Sequence, residues 1–267
     1  MASRALDPFR ARPSILHGLD PRIKTVFALA LILALAILPH GAWPLYILLL
    51  SVVLAASMLS ELGASYLLKR GLLALPFSLA ALPLLFTIPG EPWIALTLGN
   101  WPLSVSKDGA ERFASILTKA WLSIQTAVIL TGTTSFPGLL MALRAMGFPK
   151  LLVSIIGLTW QYLFVFSDEA ARLMRARTSR SGRSAGTRRA GGTLGWRARV
   201  TGSMVGNLFL RGLARSERVY AAMLARGYDG EVRTLPLPRL SPSQRITLAI
   251  SILPLMAISV LGILLWA

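Results

Sequence analysis

Apolar positions run along this chain in blocks long enough to cross a bilayer, separated by short polar breaks. Asp20-Pro21-Arg22-Ile23-Lys24 reads as a helix start. Asp is a good N-cap, Pro suits the first helical position, and Asp20 and Lys24 stand i,i+4 apart. A first span is predicted from about Thr25 to Leu38, ending at Pro39-His40-Gly41, and a second from Trp43 to Leu59. Glu61, Lys69 and Arg70 mark a polar turn. A third apolar stretch, Leu72 to Ile88, is interrupted by Pro76 and Pro83, which kink a membrane helix and free backbone carbonyls. Pro89 to Asp108 reads as a Gly/Pro/Trp-rich loop. A fourth span runs from about Phe113 to Thr131, a short amphipathic helix covers Gly138 to Met146, and a last apolar run covers Ile246 to Trp266.

Composition agrees with a membrane protein. Of 267 residues, 54% are hydrophobic and only 15% charged, against about 25% charged in a typical soluble domain. The net charge is +17, unevenly spread: sixteen Arg lie between Ala171 and Arg245, against Glu217, Asp229 and Glu231. Such a block suits nucleic acid, anionic headgroups or an acidic protein surface. Its first meaning in a membrane protein is topological, because Lys and Arg near spans stay in the cytoplasm. The first twenty-three residues hold Arg4, Arg10, Arg12 and Arg22 without an apolar run, so no signal peptide is expected and the first span serves as its own insertion signal.

Charge decides the stretch Leu151 to Phe166, apolar enough for a span yet continuous with Asp168-Glu169 and the Arg block. With the amino terminus inside, four spans return the chain inside. A fifth span here would export the sixteen Arg, and each Arg disfavours insertion by about 2.5 kcal/mol or more. The helix is therefore read as cytoplasmic, dipping into the interface. The rival is a six-span chain with Leu151–Phe166 inserted and the kinked third stretch re-entrant. The expected organisation is an all-α, multi-pass cell-membrane protein of about five membrane helices. A cytoplasmic N-terminal segment covers 1–24, membrane helices 25–133, a cytoplasmic Arg-rich domain 134–232, a linker 233–245 and a last membrane helix 246–267.

Two helices are predicted in the Arg-rich domain. One continues through Asp168 and Ala176 to Arg180; the other runs from Trp196 to Arg226 and stops at Gly227, a fitting C-terminal residue. Each ends in a small–Arg–small triplet, Ser179-Arg180-Ser181 and Ala225-Arg226-Gly227. Small neighbours let a helix tip approach a partner, and a lone Arg can then make bidentate bonds to oxygen. The triplet alone is a weak signal, since Ala214-Arg215-Ser216 also occurs.

In combination the motifs are more specific. Leu19-Asp20-Pro21-Arg22-Ile23-Lys24, Ser167-Asp168-Glu169-Ala170-Ala171-Arg172, the Arg180 triplet and Glu217-Arg218…Met223-Leu224-Ala225-Arg226-Gly227-Tyr228 follow in order. They resemble the transmembrane T component of energy-coupling factor transporters, closest to the cobalt-type branch known as CbiQ. The resemblance implies two long, crossing coupling helices whose tips sit in grooves of two ATP-binding-cassette ATPase subunits. It also implies a separate substrate-binding membrane S component, and membrane lipid rather than nucleic acid as the remaining contact. Carried over, Arg180 and Arg226 are the coupling arginines, flanked by Ser179, Ser181, Ala225 and Gly227. Ser at both flanks of Arg180 departs from the common Ala and Gly, so Arg177, Arg183 or Arg215 could share the role. Asp20, Pro21, Arg22 and Lys24 form the family's N-terminal motif.

No cofactor is expected on this chain. It has no G-x-x-x-x-G-K-[ST] loop, so ATP–Mg belongs to the partner ATPases. It has no Cys, and His17 and His40 flank opposite ends of the first span, so transported cobalt or nickel is liganded elsewhere. Asp168 and Glu169 are placed to pair with Arg172 rather than to act as a catalytic dyad. Two alternatives stay open: a T component serving vitamin uptake, and a basic anchor binding anionic lipid or nucleic acid. A membrane enzyme is disfavoured, because its best candidates, Gln125, Thr126 and Thr131, are too few and lack an acid or base, so a non-catalytic subunit is expected.

Overall fold

The computed structural model describes residues 8–72, 76, 79–89, 92–98, 101–180, 193–230 and 240–266. Its helices are α1 (Ile15–Gly18), α2 (Pro21–Ile37), α3 (Trp43–Ser60), α4 (Ala64–Gly71), α5 (Leu84–Thr87), α6 (Lys107–Thr133), α7 (Phe136–Ala145), α8 (Lys150–Arg180), α9 (Leu194–Ala225) and α10 (Pro242–Trp266). By length and composition α3, α6, α8 and α10 can each cross a bilayer. Helix α2, at 17 residues, is about 25 Å long. Two compact units divide the chain: one holds Pro8–Ala142 and Leu237–Ala267, the other the Arg-rich segment Leu143–Pro236.

In the first unit the buried positions of α2 (Ala28, Leu31, Leu35) and α3 (Tyr46, Leu49, Val53) recur at helical spacing. All but Ala28 form one core with Leu122, Val128 and Ile129 of α6 and Leu255 of α10. Small residues allow the helices to close. A Cβ on Gly132 would stand 2.7 Å from Leu62 Cδ1, and one on Gly262 would stand 3.0 Å from Leu45 Cδ1. Polar groups bridge backbone ends, Gln125 Nε2 donating to the Leu67 carbonyl at 3.2 Å and Lys119 to that of Leu38.

The structure departs from the sequence reading in two places here. The expected third span, Leu72–Ile88, lies partly outside the described residues, and its later part does not continue as one helix. Leu82 and Leu84 donate to carbonyls three residues back, and only the four-residue α5 follows Pro83. Pro83 has no N–H to carry an α-helical ladder through. The expected loop after Pro89 contains an antiparallel hairpin, β1 (Pro92–Leu98) with β2 (Trp101–Ser106), pairing Leu98 with Trp101 and Leu96 with Leu103. Gly99-Asn100 between two alternating runs was the available hairpin signal.

Leu151–Phe166, expected to stay out of the membrane, opens the 31-residue α8, whose apolar half presents Leu151, Leu152, Ile155 and Ile156 uncovered. Helix α9 has 32 residues, and neither helix contains a buried residue. Both extend earlier than predicted, and they pair with each other.

Candidate coupling helix pair

Helix α9 starts at Thr193, whose hydroxyl accepts the Trp196 N–H at 3.3 Å as an N-cap. Three contacts set its register on α8. Phe166 packs on Gly212, where an added Cβ would meet the ring Cζ at 2.8 Å. Arg211 donates to Glu169 Oε1 at 2.7 Å, while Arg172 of the same helix takes Glu169 Oε2. Arg177 Nη1 donates to Thr201 Oγ1 at 2.8 Å. As the α8 number rises the α9 number falls, so the two helices run antiparallel.

Antiparallel pairing sends the two triplets apart. Arg180 is eleven residues beyond Glu169 on α8, and Arg226 is fifteen beyond Arg211 on α9. At 1.5 Å per residue the tips stand about 35–40 Å apart, at opposite ends of the pair. Ser179, Arg180, Ala225, Arg226 and Gly227 are all exposed. Among the described residues neither Arg180 nor Arg226 has a carboxylate within 4.0 Å. Ser179 folds its hydroxyl back onto the Ala176 carbonyl at 2.9 Å, keeping that flank compact.

The Arg226 tip has a defined stop. Gly227 takes φ +78, its N–H donates to the Leu224 carbonyl at 2.9 Å, and Tyr228 N–H donates to the Met223 carbonyl at 3.0 Å. This is a Schellman closure with Arg226 as the C-cap residue. Met223 and Tyr228, its hydrophobic partners, also line a cavity of about 870 Å³ between α8 and α9, with Tyr162, Phe166 and Leu208. On α8 the cavity wall runs from Phe166 back to Ile155, toward the Arg226 end, and on α9 it also takes in Val205 and Leu208; the side-chain bonds lie on the Arg180 side of Phe166.

Of the other predicted residues, Arg177 is engaged by Thr201, and Arg215 lines the cavity. Ser181 and Arg183 lie outside the described residues. The N-terminal motif sits in the other unit and builds it. Asp20 Oδ1 accepts the Arg22 N–H at 2.9 Å and Pro21 is the first helical residue. Lys24 does not close the expected pair with Asp20; its buried Nζ donates to the Thr133 carbonyl at the end of α6, at 3.0 Å. Sequence reasoning found the Glu169–Arg172 pair but missed Arg211, which no local spacing reveals.

No cluster of three or more His or acidic side chains that could hold a metal occurs among the described residues. The family model described as a cobalt transport protein, CbiQ, matches residues 12–236. The chain is 30% identical to the cobalt transport protein CbiQ of Rhodobacter capsulatus over 166 residues, 62% of this chain and 65% of that one. It is 27% identical to the energy-coupling factor transporter transmembrane protein EcfT of Brevibacillus brevis over 243 residues, covering 85% and 86% of the two chains. A putative fused cobalt transport protein, CbiMQ, of Methanocorpusculum labreanum is 28% identical over 224 residues, 81% of this chain and 35% of that one.

Proposed function

Because the chain belongs to the CbiQ family of cobalt transport proteins, a family of transporter membrane components, we propose that it is the non-catalytic energy-coupling subunit of an ATP-driven importer. Two ATP-binding-cassette subunits bind and hydrolyse ATP–Mg, and α8 and α9 carry their motion to a separate substrate-binding membrane subunit. The cargo is cobalt or nickel, which this chain need not ligand. The Arg-rich unit faces the cytoplasm, where ATP is.

One observation carries this reading: two exposed guanidiniums, with no carboxylate within 4.0 Å among the described residues, terminate an antiparallel helix pair at opposite ends. A long helix pair with no buried residue of its own calls for partners, and two separated tips suit two copies of one. Arg226, held on a Schellman closure, is preorganised for bidentate contact with carboxylate or backbone oxygens.

The test is capture of co-expressed ATPase subunits by the tagged chain. Arg226→Glu and Arg180→Glu are each expected to reduce capture and metal uptake sharply, because reversal leaves charges unpaired in a docking groove. Wild-type capture by the doubly reversed chain would refute the proposal.

A further inference from the structure

The other unit carries a second concentration of positive charge that the coupling reading leaves unused. Arg10 and Arg70 stand over the same aromatic ring, their guanidinium carbons 4.2 Å and 4.9 Å from the Tyr66 centroid. The two cations are therefore no more than about 9 Å apart, the sum of those distances. Among the described residues neither has a carboxylate within 4.0 Å. The ring face attracts each cation, and two like charges gathered on one ring favour an anion beside them. A third cation, Arg12, spends its Nη1 on the Glu61 carbonyl at 2.5 Å.

The arrangement is built rather than incidental. The Arg10 N–H donates to the Gly132 carbonyl at 3.0 Å, and the Arg10 carbonyl accepts from His17 Nε2 at 2.8 Å. The Tyr66 hydroxyl donates to the Pro8 carbonyl at 3.3 Å, tying the ring to the same segment. Arg10 itself is exposed, while Arg70 and Tyr66 are half-buried, so the pair is both held and reachable.

An apolar cavity of about 370 Å³ in the same unit is lined by Ile15, Leu16, Leu59 and Thr133 among others. Thr133 follows Gly132, which takes the Arg10 N–H; Leu59 is two residues from Glu61, which takes Arg12; and Ile15 is three residues from Arg12. A space with such walls excludes water and accepts hydrocarbon.

We infer that Arg10 and Arg70, organised around Tyr66, bind the phosphate of an anionic phospholipid whose acyl chain enters the neighbouring apolar cavity. Two guanidiniums gathered at one ring, neither with a carboxylate within 4.0 Å among the described residues, favour a phosphate beside them. The adjoining hydrocarbon space favours a lipid over free phosphate.

The full chain, purified in detergent, would be given phosphatidylglycerol, phosphatidylcholine or inorganic phosphate, and bound species read by native mass spectrometry and thermal midpoint. Phosphatidylglycerol is expected to bind and to raise the midpoint more than phosphatidylcholine. Arg10→Gln with Arg70→Gln is expected to weaken its retention about tenfold or more, while Lys69→Gln leaves it within about twofold as a screened surface charge. If the double variant does not accumulate, the wild-type chain decides by competition, equal retention of the two lipids overturning the inference. Retention indifferent to Arg10 and Arg70 overturns it too, as does inorganic phosphate binding there without a preference for phosphatidylglycerol.

Discussion

Phe166 of α8 lies so close to Gly212 of α9 that a Cβ on the glycine would sit 2.8 Å from the ring's Cζ. This contact is the point at which the pair changes character. Toward Arg180 the helices are tied by Glu169–Arg211 and Arg177–Thr201; beside the contact and on toward Arg226 they border an apolar space. A glycine inside a 32-residue helix is costly in itself, by about 0.8–1 kcal/mol against alanine, so close approach is the physical reason for it.

Gly212→Ala therefore sets two effects in opposition. Helix propensity gains about 1 kcal/mol, and overpacking against Phe166 costs about 1–3 kcal/mol. The expected result is a net loss of about 1 kcal/mol, recovered by adding Phe166→Leu. The chain has no cysteine, so labels on introduced cysteines at positions 159 and 219 can report the spacing. The distance should rise in Gly212→Ala and return in the double variant.

The Glu169–Arg211 bond is long-range but exposed, with side-chain exposures of 22% and 63%. An ion pair so open to water contributes little, and less at high salt. A double-mutant cycle on Glu169→Gln and Arg211→Gln should return a small coupling, falling on addition of salt. A coupling several times larger would show that the pair is covered in the assembled protein.

What was legible in the sequence divides along the range of the interactions. The start of α2 at Asp20-Pro21, the span Trp43–Ser60 and the stop of α9 at Gly227 are set by caps, apolar length and one left-handed residue, all local. The arginine triplets were legible as a motif but not as a geometry. Their separation depends on the register of α8 on α9, which rests on Gly212, Arg211 and Thr201, dozens of residues from their partners. Lys24 shows the same limit: its spacing to Asp20 suggested a helical pair, and a carbonyl 109 residues away wins.

That long bond carries a stability prediction for the membrane unit. Lys24 is 7% exposed and its Nζ serves the Thr133 carbonyl, one of the orphan acceptors at the end of α6. Lys24→Met keeps the apolar stem and deletes the donor. The expected cost is about 1–3 kcal/mol, seen as a lowered unfolding midpoint in detergent, with capture of the ATPase subunits unchanged below it. Lys24→Arg, which keeps a donor but enlarges the head in a buried site, should recover part of the loss.

Gly227 separates tip geometry from tip charge. At φ +78 it accepts the left-handed turn that lets Gly227 and Tyr228 satisfy the Leu224 and Met223 carbonyls. An alanine there meets nothing within 4 Å, so its cost is conformational only, about 1–2 kcal/mol. Gly227→Ala should fray the last turn of α9, read as faster amide exchange at Tyr228, and weaken ATPase capture by roughly the fraction of time the closure is open. Gly227→Asn, which tolerates the left-handed region, should lie between alanine and the wild type. Arg226→Gln should leave that exchange unchanged yet reduce capture, because the closure uses only backbone groups at this position. If Gly227→Ala frays the turn and capture is unaffected, the guanidinium does not depend on the closure for its placement, and the preorganisation assigned to Arg226 is wrong even where the docking role survives.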